Sequence, residues 1–499
     1  MSSNKRKRAG SASTPQARKR PPAPEVNARE EDMSLYLEYR NARYANRGVV
    51  GNRTVLRPLT TCAFEVVARN LTRYLNDDYA LPNFDLLPPN LLFQILDTAR
   101  QQLPTTLTPE LIKKVFLDRA PTSLDALVLD DLPSATHRLV WESLSRKPQQ
   151  IDNLGGVGPG LRVLSINHLT IRSNVLCSAL ATMENLTSFD ARGNVHLDDT
   201  VLTMLASTCP QLRRVNISMT AVSQVGIAKI LGIKSMKVLK VASVKLAGDK
   251  FWMDFAAASE GSERATLTNL KIASNDVITD KGLTALIQAV GSKLETVDVN
   301  STRISNLTAV LAPCLQTLQK LNISATKPRS VAVLHETISR LDNIGNLRKL
   351  SMQRSPKLQM NQTTVDHLSP LFRNLTHLRL ANNPGITDMR AIIENAQNLE
   401  FLDVQNCGLT TRSFEAIEGI GYNMNLKALD VSGTRVDEGV GELLGRFSRL
   451  ERVWLGNTRV TVTSCLNLRE MDLNGCRGIP LRSRKSLFEG IWREVHGRG

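Results

Sequence analysis

The chain has 499 residues, of which 42% are hydrophobic and 22% charged, a balance that excludes a wholly disordered protein. A single compact core stops growing at about 250–300 residues, so we expect either several domains or a repeat array. Of the net charge of +16, residues 1–20 carry +7 and residues 477–499 carry +4, which leaves +5 for the other 456 residues and excludes a strongly basic body.

Residues 1–57 are predicted to form a basic disordered tail and linker, because residues 1–30 contain almost nothing large and apolar. The tail holds two basic clusters, formed by Lys5, Arg6, Lys7, Arg8 and by Arg18, Lys19, Arg20. They resemble a bipartite nuclear import signal, which implies an import receptor as partner and a nuclear location. A generic polybasic arm is the alternative, and the two roles can coexist.

The sequence contains neither an apolar secretory segment at its start nor a membrane-spanning run. It begins MSSNKRKRAG, and no stretch approaches the ~20 apolar residues needed to cross a bilayer. We therefore expect an intracellular, soluble protein with no membrane partner.

Residues 58–123 are predicted to form a helical module. Two segments, LPPNLLFQILDTA and TPELIKKVFL, have proline near the first helical turn. In the segment before them, helical spacing predicts one apolar stripe made of Leu59, Ala63, Val66, Val67, Leu71 and Leu75.

Residues 124–476 carry an internal repeat. The pattern LxxLxL, with aliphatic or occasional aromatic residues at the apolar positions, recurs fourteen times at intervals of mostly 24 to 29 residues. Its first residues are 124, 161, 186, 212, 236, 267, 294, 318, 347, 375, 399, 426, 450 and 468. Each copy predicts a short strand, and segments such as ITDKGLTALIQAV predict a helix between successive strands.

Three positions after most of the triplets stands a small polar or sulfur residue. Examples are Asn275, Asn383, Cys407, Thr302 and Thr434. The chain here resembles the leucine-rich-repeat family, in its cysteine-containing subclass, which is common in F-box receptors. The resemblance implies an α/β fold: a horseshoe solenoid with a parallel sheet on its concave face. We expect the Asn, Cys or Thr side chain to turn inward and pair with backbone groups.

Residues 477–499 are predicted to form a C-terminal helix and basic tail. Leu487, Phe488, Ile491, Trp492 and Val495 share one helical face. A helix that caps the open apolar end of the solenoid explains this face, and a helix that docks a partner is the alternative.

The sequence offers no constellation for catalysis, metal or cofactor binding. It has no GxxxxGK[ST], HExxH or GxSxG motif, and its seven cysteines and seven histidines are scattered without ligand-like spacing. We therefore expect a binding protein, not an enzyme, with no catalytic, cofactor or metal residues.

The variable positions of LxxLxL should face the concave side and form the partner surface. The candidates are Arg162, Arg213, Arg214, Lys237, Lys240, Lys271, Arg348, Lys349, His377, Arg379, Arg452 and Trp454. The cationic first half suits an acidic partner or phosphate, although an ordinary solvated face is equally consistent. We expect Trp454 to be an exposed aromatic anchor, or else to lean on a neighbouring strand.

One functional hypothesis is a substrate receptor or adaptor of a cullin-type ubiquitin ligase. The segment FDLLPPNLLFQIL resembles the opening of an F-box, without its usual continuation. The segment PLTTC, residues 58–62, resembles an elongin-binding box that is one residue short. These resemblances imply docking to a Skp1 or elongin C subunit and, through it, to a cullin. The implied docking residues are Leu87, Pro88, Leu91, Leu92, Ile95 and Leu96.

The other hypothesis is a nuclear scaffold or chromatin-associated protein without a ligase, whose basic tails bind nucleic acid non-specifically. The layout of basic N-terminus, helical lead-in and repeats also resembles a nuclear repeat family of nucleotide-excision repair. Under either hypothesis we expect a monomer that works within a complex.

Overall fold

The computed structural model describes residues 59–76, 87–118, 124–145, 158–246, 248–258, 266–328, 330–354, 360–415, 425–437, 439–445, 447–460 and 470–472. The import clusters predicted within residues 1–20 and the helix predicted within residues 477–499 lie outside these ranges.

The repeats form one sheet of fourteen parallel strands among the described residues, arranged in the order of the chain. The strands are β1 Ala126–Val128, β2 Val163–Ser165, β3 Ser188–Asp190, β4 Arg214–Asn216, β5 Val238–Lys240, β6 Asn269–Lys271, β7 Thr296–Asp298, β8 Lys320–Asn322, β9 Lys349–Ser351, β10 His377–Arg379, β11 Phe401–Asp403, β12 Ala428–Asp430, β13 Arg452–Trp454 and β14 Glu470–Asp472. Each begins two residues after the start of a predicted triplet, so all fourteen predicted strands are confirmed.

Helices connect the strands and line the opposite side of the sheet. The α-helices are α1 Leu59–Asn76, α2 Pro89–Gln102, α3 Pro109–Leu111, α4 Arg138–Leu144, α5 Ser173–Leu180, α6 Asp199–Thr208, α7 Gln224–Leu231, α8 Asp249–Ala257, α9 Asp280–Val290, α10 Leu307–Leu311, α11 Val331–Ile344, α12 Gln362–Leu368, α13 Arg390–Asn395, α14 Arg412–Glu415 and α15 Val440–Gly445. A π-helical stretch, Ile112–Leu117, continues α3. Short 3-10 turns are Pro104–Thr106, Pro133–Thr136, Gly158–Gly160, Ala312–Cys314 and Ser369–Phe372.

The apolar positions of each triplet form the core between the sheet and the helices. In the repeat of β10, Leu375, Leu378 and Leu380 are all buried. The residues on either side of the central leucine point away from this core, because side chains alternate along a strand. In solenoids of this type that outer side of the sheet is the concave face. The predicted α/β solenoid of the leucine-rich-repeat type is thus confirmed.

Where a small polar residue follows a strand in the described ranges, it turns inward, as predicted. The amide of Asn383 donates to the Leu380 carbonyl at 2.7 Å and to the Met352 carbonyl of the preceding repeat at 3.0 Å. The Thr434 hydroxyl donates only within its own turn, to Val431 at 2.6 Å. Asparagine at this position therefore links two repeats by hydrogen bonds, whereas threonine forms a hydrogen bond within its own repeat.

Each turn also contains a residue with left-handed backbone. It is glycine at Gly433, but in other repeats it carries a side chain, as at Met219 with φ 60° and Ala325 with φ 54°. A left-handed conformation costs an ordinary residue about 1–2 kcal/mol. The repeat geometry therefore imposes strain at those turns.

Aspartates join successive repeats on the helix side. The Asp249 carboxylate, at the start of α8, accepts the backbone N–H of Thr279 at 2.8 Å and also the Thr279 hydroxyl. Asp199 binds Ser223 and Asp280 binds Ser305 in the same way. Each aspartate thus ties one helix to the start of the next.

The helical module shares a continuous apolar core with the first repeat. Leu71 of α1, Leu92 and Ile95 of α2 and Leu127 of β1 belong to that core. The stripe predicted for α1 is partly wrong, because Leu59, Ala63 and Val66 are exposed. The helix instead packs through Ala68 and Leu71, with Phe64 and Val67 partly buried beside them, and it presents a second apolar face to solvent.

Candidate functional site

The concave face displays two rows of side chains, because all neighbouring strands pair without a shift in register. The first strand residues form one row, in which Lys320, Lys349, His377 and Phe401 are consecutive partners. The third strand residues form the other row, with Ser351, Arg379 and Asp403 in sequence. Neighbouring strands lie about 4.8 Å apart, so consecutive members of a row are in reach of one another.

The cations predicted on the first half of this face differ in their accessibility. Arg162, Arg213, Arg214 and Lys237 are exposed. Lys240 and Lys271 are half-buried, and the Lys271 ammonium pairs with Asp298 at 3.1 Å. One predicted contact residue is therefore engaged within the sheet.

His377, on β10, is held by neighbours on three strands. The Lys349 ammonium donates to its Nε2 at 3.3 Å, since an ammonium can only donate. Nδ1–H then donates to the Thr376 hydroxyl at 3.0 Å, and that hydroxyl donates to the Arg348 carbonyl at 3.1 Å. The bonds hold the imidazole in its neutral form with the proton on Nδ1.

The surroundings of His377 disfavour its charged form strongly. Burial, followed by the charges of Lys349, Arg379, Lys320 and Lys427, lowers the pKa of His377 to about 3. A histidine among four cations indicates a concentrated positive potential on this part of the concave face.

Aromatic rings continue the row beyond His377. The Phe401 ring lies 5.8 Å from the His377 ring and 6.2 Å, edge to face, from the Trp454 ring. The Arg379 guanidinium lies 5.3 Å from the centre of the Phe401 ring, within cation–π range. The His377, Phe401 and Trp454 rings and the Arg379 guanidinium therefore form one packed cluster.

Two predicted contact residues are not exposed. Trp454 is buried, with 9% of its surface accessible, and its ring packs edge to face with the ring of Phe401 on β11. The expectation of an exposed tryptophan anchor is therefore wrong. The ring does lean along the sheet, but its partner Phe401 is two strands away, not on a neighbouring strand. Arg379 is 8% exposed, because its guanidinium packs on the Phe401 ring. Arg348 is exposed and Arg452 is half-buried.

The six predicted docking residues at the start of α2 divide into two groups. Leu92, Ile95 and Leu96 are in the core, so as surface contacts they are wrong: they face α1 and the first repeat. Leu87 and Leu91 are half-buried and Pro88 is exposed. The exposed apolar surface of the module lies instead on α1, at Leu59 and Val66, which are 85% and 56% accessible.

Within the described residues, no three His, Cys, Asp or Glu side chains come together as a metal site. Burial raises the pKa of Cys209, Cys314 and Cys407 to about 12, so these thiols remain protonated and unreactive. No helix in the described ranges has the length and apolarity that a membrane span requires.

Sequence reasoning found Lys349, His377 and Arg379 at variable positions but missed Phe401, which completes the cluster. The signal was present, because Lys349, His377 and Phe401 occupy the same position in three successive triplets. Comparing one position across repeats, instead of neighbours along the chain, would have identified Phe401.

Comparisons with known proteins agree with a repeat architecture. The model of the family described as Leucine Rich repeat matches residues 265–286. A comparison with curated protein sequences finds no match. Similar solved structures include the complex of Rad7 and Elc1 in yeast, with 15% identity, TM-score 0.43 and coverage of 81% of this chain and 95% of that one.

Two bacterial structures are similar in the same way. A leucine-rich-repeat protein of Leptospira interrogans has 15% identity and TM-score 0.39, covering 76% of this chain and 90% of its own. An internalin of Listeria monocytogenes has 16% identity and TM-score 0.34, with coverage of 74% and 91%. Because all three scores are below 0.5, the fold assignment rests on the sheet itself and on the matched repeat.

Proposed function

The chain is a leucine-rich-repeat protein, and we propose that it serves in the nucleus as a substrate receptor or adaptor of a cullin-type ubiquitin ligase. The solenoid is its protein-binding part. In this proposal α1 and α2 dock a Skp1 or elongin C subunit, and the concave face selects the target. The resemblance to the nuclear excision-repair family suggests DNA repair as the process.

The exposed face of α1 is the observation that carries the proposal. A helix that only capped the solenoid would need apolar residues on its inward face alone. In α1 that inward face is provided by Ala68 and Leu71, yet Leu59 and Val66 lie exposed on another face. Apolar side chains presented on one helix suit the groove of a partner subunit.

Tagged full-length chain tests the proposal in a pull-down from nuclear extract with quantitative mass spectrometry. The double variant Leu59→Glu with Val66→Glu should reduce recovery of Skp1 or elongin C and of the cullin about tenfold, because charged residues at an apolar contact are costly. The matched control is Val225→Glu with Met253→Glu, which changes two residues that are each 49% exposed on α7 and α8. The control should recover the ligase subunits like the unmodified chain.

Equal recovery by both variants, or no ligase subunit with the unmodified chain, would overturn the receptor proposal. Recovery of chromatin or nucleolar proteins without a cullin would instead favour the second candidate, a nuclear scaffold. The uneven charge of the sequence favours that candidate, because +7 of the net charge lies in residues 1–20 and suits phosphate contacts.

A further inference from the structure

The middle of the concave face is cationic over three consecutive strands. The segments 319–324, 348–353 and 376–381, which contain β8, β9 and β10, include Lys320, Arg348, Lys349 and Arg379 but no Asp or Glu. On β7, by contrast, Asp298 pairs with Lys271, and beyond β10 the Lys427 ammonium pairs with Glu400 at 3.2 Å. The positive charge is therefore bounded on both sides.

Two lysines in this region reach the surface from neighbouring strands. Lys320 is exposed and Lys349 is half-buried, and the two are direct partners in the sheet register. Lys349 is oriented by its hydrogen bond to the neutral His377 imidazole. An anion that approaches would meet one ammonium fixed in place and one that is free to adapt on its flexible stem.

We infer that the concave face over β8, β9 and β10 binds an acidic segment of the partner protein, whose carboxylates pair with Lys320 and Lys349. The inference rests on the proposed function only in that the concave face receives a protein. Charge complementarity supports it, because these three segments contain four cations and no acid. The Asp403 carboxylate on the adjacent β11 is buried and accepts a hydrogen bond from Gln353 at 3.1 Å. Lys320, Lys349 and Arg379 are among the charges that lower the pKa of His377, in agreement with this local potential.

The rings beside the lysines favour a peptide over a single-stranded nucleic acid. Non-specific binding of single strands depends on aromatic faces that stack with bases. Here the Arg379 guanidinium packs on the Phe401 ring, and Trp454 is buried with its ring packed edge to face with Phe401. The rings therefore orient cations and do not provide a surface on which bases can stack. The cations that are accessible can pair with carboxylates.

Spacing is compatible with an extended segment. Side chains on one face of an extended chain recur about every 6.8 Å, and neighbouring strands are about 4.8 Å apart. The lysine stems have enough freedom to span this difference. Two glutamates or aspartates separated by one residue can therefore contact both lysines.

The test uses full-length protein and a fluorescein-labelled peptide of alternating Glu and Ser, with fluorescence anisotropy at physiological salt. The variant Lys320→Gln with Lys349→Gln should weaken binding about tenfold, since each exposed ion pair contributes modestly. The matched control, Lys250→Gln with Lys281→Gln, removes the same charge from exposed positions on α8 and α9. It should bind like the unmodified protein, which separates this site from general attraction to a basic chain.

A second readout reports contact directly. A carboxylate that takes the Lys349 ammonium weakens its bond to Nε2, so the imidazole C–H resonances of His377 should shift on peptide addition. A peptide of alternating Gln and Ser should leave them unchanged. Loss of the shift in Lys320→Gln with Lys349→Gln should accompany the loss of binding.

Three outcomes overturn the inference. One is equal binding by the two lysine variants, which would assign the peptide to the tails. Another is an unshifted His377 resonance at saturating peptide. The third is an oligothymidylate that binds through Lys320 and Lys349 more tightly than the acidic peptide, which would make a nucleic acid the occupant. The Leu59→Glu with Val66→Glu variant should bind the peptide normally, so failure of the ligase proposal and failure of this one are distinguishable.

Discussion

Asn383→Ala should destabilise the solenoid more than a comparable loss at a threonine position. The asparagine amide donates two buried hydrogen bonds, to the Leu380 and Met352 carbonyls, and the second crosses to the preceding repeat. A typical buried hydrogen bond contributes about 0.5–1.5 kcal/mol net, so losing two should lower the free energy of unfolding by about 1–3 kcal/mol. Thr434→Ala removes one bond, to Val431, and should cost about 1 kcal/mol.

Urea denaturation followed by far-UV circular dichroism measures both variants against the unmodified chain. Asn383→Thr is the intermediate case, because a hydroxyl at this position reaches only the carbonyl three residues earlier, as Thr434 does. We expect the order Asn383→Ala, Asn383→Thr, unmodified, from least to most stable. Equal destabilisation by Asn383→Ala and Thr434→Ala would refute the reasoning that the bond between repeats carries additional stability.

The remaining predictions concern the turns, the links between helices and the histidine. Met219→Gly should raise the free energy of unfolding by about 0.5–1 kcal/mol, because the backbone of Met219 is left-handed and its side chain is 45% exposed. Met253→Gly, within α8, should instead lower the free energy of unfolding by about 1 kcal/mol. Thermal melts of both variants measure whether stability rises or falls. Asp249→Ala should lower the free energy of unfolding by about 1–2 kcal/mol, because it removes the bonds to Thr279. Asp254→Ala, at an exposed position of the same helix, should leave stability nearly unchanged in the same melts. In the folded chain the pKa of His377 is lowered by burial and by the charges of Lys349, Arg379, Lys320 and Lys427. The stability that the neutral histidine contributes is therefore complete above about pH 6.5 and is lost as the pH falls towards 3. Between pH 7 and pH 5 the free energy of unfolding of the unmodified chain should fall by on the order of 2 kcal/mol more than that of the His377→Gln variant. Parallel profiles of stability against pH for the two proteins would contradict this.

The sequence predicted the strands well because one local rule determines them. Each triplet buries its first, fourth and sixth residues, and a strand of three residues leaves no other way to do so. The inward asparagines and threonines followed from the same rule, since the turn requires a donor at that point. Because the pattern occurs fourteen times, a strand could be predicted for each copy from the same rule.

The helical module was predicted less well, because helical spacing alone does not say which of two apolar faces is buried. In α1 the spacing joined Leu59, Val66 and Leu71 in one stripe, but only Leu71 faces α2 and the first repeat. The resemblance to an F-box opening placed Leu92 and Ile95 on a docking surface, but in the fold they complete the core. Tertiary packing decides such cases, and a local pattern does not contain it.

The concave site depends on contacts that a linear sequence does not display. Trp454 and Phe401 are 53 positions apart, yet their rings meet because β11 and β13 both pair with β12 in the same sheet. That contact buries the tryptophan on which an interface argument from sequence would rely. It leaves the binding face to Lys320 of β8 and Lys349 of β9, of which Lys349 is oriented by its hydrogen bond to the neutral His377. The aromatic residues of this solenoid therefore act in recognition by orienting cations, and an acidic partner is the one that such a surface discriminates.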